Sequence, residues 1–135
     1  MRYLLDTNIC VEHLRGKIDI WPFIEARGLD NCFLSEIVVA ELKIGEIIIA
    51  RKGGVRFSQH LNEFLNVFQI LPISSAIEYF AQEKCRLQFA GTPVANNFDL
   101  LIGCSGVVND MIVVTDNYKD FINIQGIQLE NWMVH

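Results

Sequence analysis

Short apolar runs alternate with longer amphipathic stretches along the whole chain, and Gly, Pro, Asn or Ser punctuates most of the changes. Arg2 to Leu5 reads as a strand ending at Asp6, and Asn8 to Arg15 as a helix closed by Gly16. A second helix is expected over 18–27, stopped by Gly28. Cys32 to Leu34 is a short strand; Ser35 is placed to cap a long helix over 36–52, which the Gly53-Gly54 pair ends. A further helix runs to about Val67. Strands are expected at Gln69 to Ile73, Met111 to Thr115 and Gly126 to Leu129, with helices over Ser75 to Phe89 and Asn97 to Val108. The strand connections are long enough for helical crossovers, so the sheet is expected to be parallel and the fold α/β.

No repeat or low-complexity tract breaks this order. A length of 135 residues fits one domain, 1–135, with a sizeable core that needs neither disulfide nor structural metal. The apolar share of 51% is high, yet no apolar run approaches the ~20 residues needed to span a bilayer. The surplus belongs in a core or a subunit interface. MRYLLDTNICVEHLRG places an acid inside its short apolar run, which is wrong for a secretory signal, so a cytoplasmic protein with no membrane contact is expected. Cys10, Cys32, Cys85 and Cys104 are widely spaced and read as buried thiols; neither they nor His13, His60 and His135 form a ligand or nucleophile motif. The net charge of -5 excludes a chain that grips nucleic acid by bulk positive charge. Nucleic acid reached through a bound metal ion remains open.

The chemistry lies in four acids held in apolar stretches: Asp6 in YLLDTN, Glu41 in IVVAELKIG, Asp99 in NNFDLLIG and Asp116 in IVVTDN. Burying an unpaired carboxylate costs several kcal/mol or forces a large pKa shift. Four such groups gathered by the fold would repel unless a hard divalent cation offset them. Asp6 and Asp116 each follow a strand, at the carboxyl edge where open parallel sheets bind ligands. Glu41 shares a helix face with Ile37, Val38, Ile44 and Ile48, and should point inward. Asp99 falls in the first turn of its helix, capped by Asn96 or Asn97. Each acid also has a plainer account: a strand-end turn or helix cap for Asp6 and Asp116, an ion pair with Lys43 or Arg51 for Glu41, an ordinary first-turn acid for Asp99.

The pieces LLDTNI at 4–9, SEIVVAELKIG at 35–45, GTPVANNFDLLIG at 91–103 and VVTDNYKDF at 113–121, with GIQLENW near the end, resemble in order and spacing the PIN-domain proteins. Within that group the chain is similar to the VapC toxins of bacterial type II toxin–antitoxin pairs. The resemblance implies a PIN-like three-layer α/β/α fold with a short parallel sheet of four or five strands. It implies an Mg²⁺-dependent endoribonuclease, Mn²⁺ also suiting, that hydrolyses RNA, often tRNA. Asp6, Glu41 and Asp99 occupy the family's best-kept acidic positions. Asp116 is taken as the fourth, with Asn117 competing and Asp120 more remote. Metal would sit among Asp6, Asp99 and Asp116, with Glu41 at a second ion or as general base, and Thr7, Asn8, Thr115 and Asn117 in support. Relatives usually carry two alanines where this chain has Gly103-Cys104.

Arg51, Lys52 and Arg56 form the densest basic cluster, expected to contact RNA or, equally, to dock an acidic segment of a partner. Ile18, Ile20, Trp21, Phe23 and the run Ile47-Ile48-Ile49 exceed what one small core needs. With the resemblance, this predicts a homodimer and a VapB-like antitoxin helix in an apolar groove. Two other α/β classes fit worse: a haloacid-dehalogenase-like phosphatase needs a second Asp where Asn8 stands, and a response-regulator receiver needs an acidic pair at the first strand. The competing reading is a catalytically weak PIN-like module that binds RNA or protein.

Overall fold

A computed structural model describes residues 1–55 and 57–133. Five parallel strands form one sheet in the order β3-β2-β1-β4-β5, with helices on both faces. They are β1 (Arg2–Leu5), β2 (Cys32–Ser35), β3 (Gln69–Leu71), β4 (Met111–Val114) and β5 (Leu129–Glu130). The helices are α1 (Thr7–Leu14), α2 (Trp21–Arg27), α3 (Glu36–Arg51), α4 (Ser58–Val67), α5 (Ile77–Phe89) and α6 (Asn97–Val108). Leu4, Leu5, Leu34, Val113 and Val114 are wholly buried between the helical layers, as strands of a two-sided parallel sheet must be. The chain winds from β1 through β2 to β3 on one side and returns to β4 and β5 on the other. The order therefore reverses between β1 and β4, and the carboxyl ends of these two strands frame the crevice where such sheets bind ligands.

Several boundaries shift from expectation, and three of the shifts have a clear local reason. Helix α2 begins at Trp21 because Pro22, which lacks an N–H, is tolerated only in a first turn; the Asp19 carboxylate accepts from the Trp21 N–H at 3.1 Å. Strand β3 stops at Leu71 because Pro72 cannot donate to the ladder. Strand β5 starts at Leu129 because Gly126 turns the chain at φ 83°, after Phe121 and Ile124 have been buried against α6.

The apolar surplus is also redistributed. Ile20 is buried, and Ile18, Trp21 and Phe23 pack against the core, Trp21 stacking on Phe68 with centroids 6.2 Å apart. The buried stripe of α3 runs through Val38, Leu42 and Glu46, and leaves Ile44, Ile47, Ile48 and Ile49 exposed. Glu46 is thus an acid more deeply buried than Glu41, with the Ser58 hydroxyl donating to it at 2.6 Å. Among the described residues no helix is long and apolar enough to cross a membrane.

Gly103 explains the departure from an alanine pair in α6. A Cβ there would run into Ile124 Cδ1 and stand 3.2 Å from Phe121 Cδ1. Gly103→Ala is expected to destabilise the fold by about 1–3 kcal/mol through overpacking, in excess of its helix-propensity gain. Adding Ile124→Val, which removes that Cδ1, should recover most of the loss. Urea midpoints of the two variants check both statements.

Candidate active site

Asp6 stands where β1 becomes α1, and its position is fixed from both sides. Its backbone N–H donates to the Val114 carbonyl at 2.9 Å, continuing the β1–β4 ladder. Its carboxylate caps α1, accepting from the Thr7 N–H at 2.8 Å through Oδ1 and from the Thr115 hydroxyl at 2.9 Å through Oδ2. Thr115 is wholly buried, one residue past β4. Its hydroxyl also accepts from Asn8 Nδ2 at 3.3 Å and from the Asn117 N–H at 3.0 Å. One side-chain oxygen therefore ties together the ends of the two strands at the switch point.

Glu41 reaches the same place from α3, accepting from the Thr7 hydroxyl at 2.7 Å. Asp99 comes from the first turn of α6, where Asn96 Oδ1 accepts from the Phe98 N–H at 2.8 Å. A cleft of about 340 Å³ is lined by Asp6, Thr7, Asn8, Glu12, Glu41, Asp99 and Asn117. The plainer accounts hold for Asp6 as a cap and Asp99 as a first-turn acid, but neither removes the electrostatic cost. Burial first, then the charges of Glu41 and Asp120, push Asp6 up to about 6 against the pull of its hydrogen bonds from Thr115 and Thr7. Burial first, then Asp6, Glu41 and Asp120, push Asp99 up to about 7. The helix N-terminus that favours an anion at Asp99 is outweighed.

The segment after β4 departs from expectation. Asp116 is exposed and turned away: Asn131 Nδ2 donates to its Oδ1 at 2.8 Å, and its N–H points to Asn8 Oδ1 at 3.4 Å. Asn117 lines the cleft, and its side-chain amide donates to Asp120. Asp120 is the carboxylate of this segment that raises both Asp6 and Asp99. The turn closed by Thr115 and Asn117 carries Asp116 toward β5 and brings Asp120 back. Spacing from Thr115 alone could not reveal that reversal. Arg51 and Lys52 are exposed at the end of α3, about 15 Å along the helix from Glu41, and do not line the cleft. Arg56 lies outside the described residues.

The donor set is all oxygen, as a hard cation requires. Among the described residues no three Asp, Glu, His or Cys side chains converge closely enough to enclose an ion. Mg²⁺ is usually held by one or two carboxylates together with water and substrate phosphate, and Asp6 and Asp99 in the cleft are carboxylates of that kind. A second cavity of about 320 Å³ adjoins the far side of Glu41, walled largely by apolar side chains including Val11, Leu14, Leu42, Ile49 and Phe57. It carries no carboxylate cluster, and the chemistry belongs to the acidic cleft.

A doubly wound parallel sheet with acids around its switch point is the architecture of a PIN domain. The chain is 33% identical over 135 residues to ribonuclease VapC2 of Rickettsia felis, covering 98% of each. It is 24% identical over 136 residues to the tRNA(fMet)-specific endonuclease VapC of Salmonella typhimurium, again covering 98% of each. Its fold matches the crystal structure of VapBC-1 from nontypeable Haemophilus influenzae with a TM-score of 0.81 and 26% identity, over 99% of this chain and all of that one. No family model matches the chain. With a relative this similar over nearly its whole length, the chain belongs to the VapC family of PIN-domain ribonucleases.

Proposed function

We propose that the chain, a single PIN domain over 1–135, hydrolyses RNA phosphodiester bonds in the cleft between β1 and β4, with Mg²⁺ or Mn²⁺ as cofactor. The observation that carries this reading is that Asp6 and Asp99 share one cleft and are pushed up to about 6 and about 7 within it. Two carboxyls so placed gain from a divalent cation what they lose by burial. Asp6 and Asp99 would hold the ion, and Asp120 would take the place expected of Asp116 as the fourth acid. An ion bound there would supply Lewis-acid stabilisation of phosphate charge and a more acidic water. Thr115 and Thr7 keep the Asp6 and Glu41 carboxylates in position, and Asn8 joins Thr115 to the Asp116 backbone. Glu41 is the general base, taking the proton of the attacking water.

The Salmonella relative is named for tRNA(fMet), and tRNA is the substrate class proposed here. A cytoplasmic location goes with that substrate. A VapB-like antitoxin is the proposed partner. It is supported by the VapBC pairs among the similar structures and by the exposed Ile44, Ile47, Ile48 and Ile49 of α3. A homodimer is proposed as the toxin's own state. Partner-free protein is expected to cut total bacterial RNA at discrete sites in Mg²⁺ or Mn²⁺, with cleavage lost in EDTA and in Asp6→Ala. Sequencing the new ends names the substrate. Absence of any Mn²⁺ binding by calorimetry would overturn the metal reading, and metal binding without cleavage of any RNA would favour the weak-module alternative.

A further inference from the structure

An acidic protein that cuts RNA must hold its substrate by something other than bulk charge. Base stacking on aromatic rings supplies such a hold, and it needs rings left open to solvent. Among the described residues Phe89, Phe98 and Tyr118 are the exposed Phe, Tyr or Trp side chains. Phe98 and Tyr118 are each one residue from a side chain that lines the cleft, Asp99 and Asn117. They come from separate elements, the first turn of α6 and the turn that follows β4.

Both backbones are firmly set. The Phe98 N–H is held by Asn96 Oδ1, and the Tyr118 carbonyl accepts from the Phe121 and Ile122 N–H groups at 3.0 and 2.9 Å. Neither ring is among those packed on the core, and neither makes a ring contact among the described residues. Each aromatic residue also has a lysine at, or hydrogen-bonded to, its neighbour in the chain. Lys84 Nζ donates at 2.6 Å to Asn97 Oδ1, next to Phe98, and Lys119 follows Tyr118. An exposed aromatic residue with a lysine at or against its chain neighbour, repeated on two elements that each also supply a cleft-lining residue, matches the stacking-plus-phosphate grip of single-strand binding sites.

We infer that Phe98 and Tyr118 are specificity-determining residues that stack the unpaired bases flanking the cleaved phosphate, with Lys84 and Lys119 holding the adjoining phosphates. This rests on the reading of the cleft as an RNA-cleaving site. It restricts the substrate to nucleotides whose bases can leave a helix, because a base still paired in a duplex offers no face to these rings.

The test measures anisotropy of a short fluorescein-labelled single-stranded RNA of mixed sequence and of its abasic twin, in a Glu41→Gln background with Mg²⁺. Cleavage by the otherwise unaltered protein is assayed in parallel. Phe98→Ala and Tyr118→Ala are each expected to weaken binding of the intact RNA by about tenfold. Each should also narrow the preference over the abasic twin, which packing damage alone would not do. Phe98→Tyr and Tyr118→Phe keep a ring and should keep both properties; Phe98→Leu, apolar but ringless, should lose them. Lys84→Gln and Lys119→Gln should lower affinity for both RNAs alike and flatten the salt dependence. Alanine variants that retain the full preference for bases would overturn the stacking assignment while leaving the nuclease reading intact. So would loss of a co-purifying protein partner with RNA discrimination unchanged, which would reassign the rings to protein docking. Failure of the unaltered protein to bind or cut any RNA would overturn the nuclease reading itself.

Discussion

Asp99→Asn is expected to raise the thermal stability of the metal-free protein while reducing RNA cleavage by more than about a hundredfold. No hydrogen bond among the described residues holds the Asp99 carboxyl, so an isosteric amide removes charge without orphaning a partner. The charge is what costs. A carboxyl held near 7 in the folded chain, against an ordinary 3.8, keeps its proton at pH values where the unfolded chain has released it. Between about pH 4 and pH 7 the native state therefore binds more protons than the unfolded state, and stability falls as pH rises. Below that window both states are protonated and the penalty is absent; above it the penalty is constant. Water reaches half-buried Asp99, so the gain from Asp99→Asn is set at about 1–2 kcal/mol above neutral pH, or a few degrees in Tm.

The decisive measurement is the gap in Tm between the variant and the unaltered protein in EDTA. It should be near zero at pH 4 and widen as pH rises to 7. Mg²⁺ should then raise the Tm of the unaltered protein more than that of the variant, since ligand binding to the folded state stabilises it by mass action. A gap that stays constant with pH would show that Asp99 carries no buried charge cost. Asp6 sits in the same field but is a poorer probe, because its oxygens accept from Thr7 and Thr115 and an amide would turn a donor toward one of them.

Much of this architecture was legible because its signals are local. Short apolar runs leading into Asp6, Ser35 and Thr115, bounded by turn and cap residues, read as buried strands, and Asn96 and Ser35 cap their helices through their own side chains. The gathering of Asp6, Glu41 and Asp99 followed from where strands end and helices begin. What stayed illegible depends on contacts remote in sequence. The choice of the Leu42–Glu46 stripe over the Ile44–Ile48 stripe in α3 is made by the elements packed against it, and the isoleucines look equally suitable in the chain alone. Asp116 and Asp120 differ by a turn whose direction is set by Thr115 and by Asn131, a residue on the far side of β5. Phe98 and Tyr118 look like core residues until burial is known.

Thr115→Val should have the second large effect, through a different route. The substitution keeps shape and burial but deletes the oxygen that donates to Asp6 and accepts from Asn8 and the Asn117 N–H. Leaving buried groups without partners costs about 1–3 kcal/mol, so the variant should unfold at lower urea than its parent. Activity should fall by about 10–100-fold, the usual cost of losing a residue that orients a metal-binding carboxylate. The direction with pH separates this role from a merely structural one. The Thr115 hydroxyl lowers the Asp6 pKa, so without it the carboxyl holds its proton to higher pH and the acidic limb of the activity profile moves upward. Thr115→Ser, which retains the hydroxyl, should restore the pH profile and most of the rate even where some stability is lost with the methyl group. An unchanged acidic limb in Thr115→Val, with activity lowered only in proportion to folded protein, would leave Thr115 as a strand-end fastening and remove it from the positioning of Asp6.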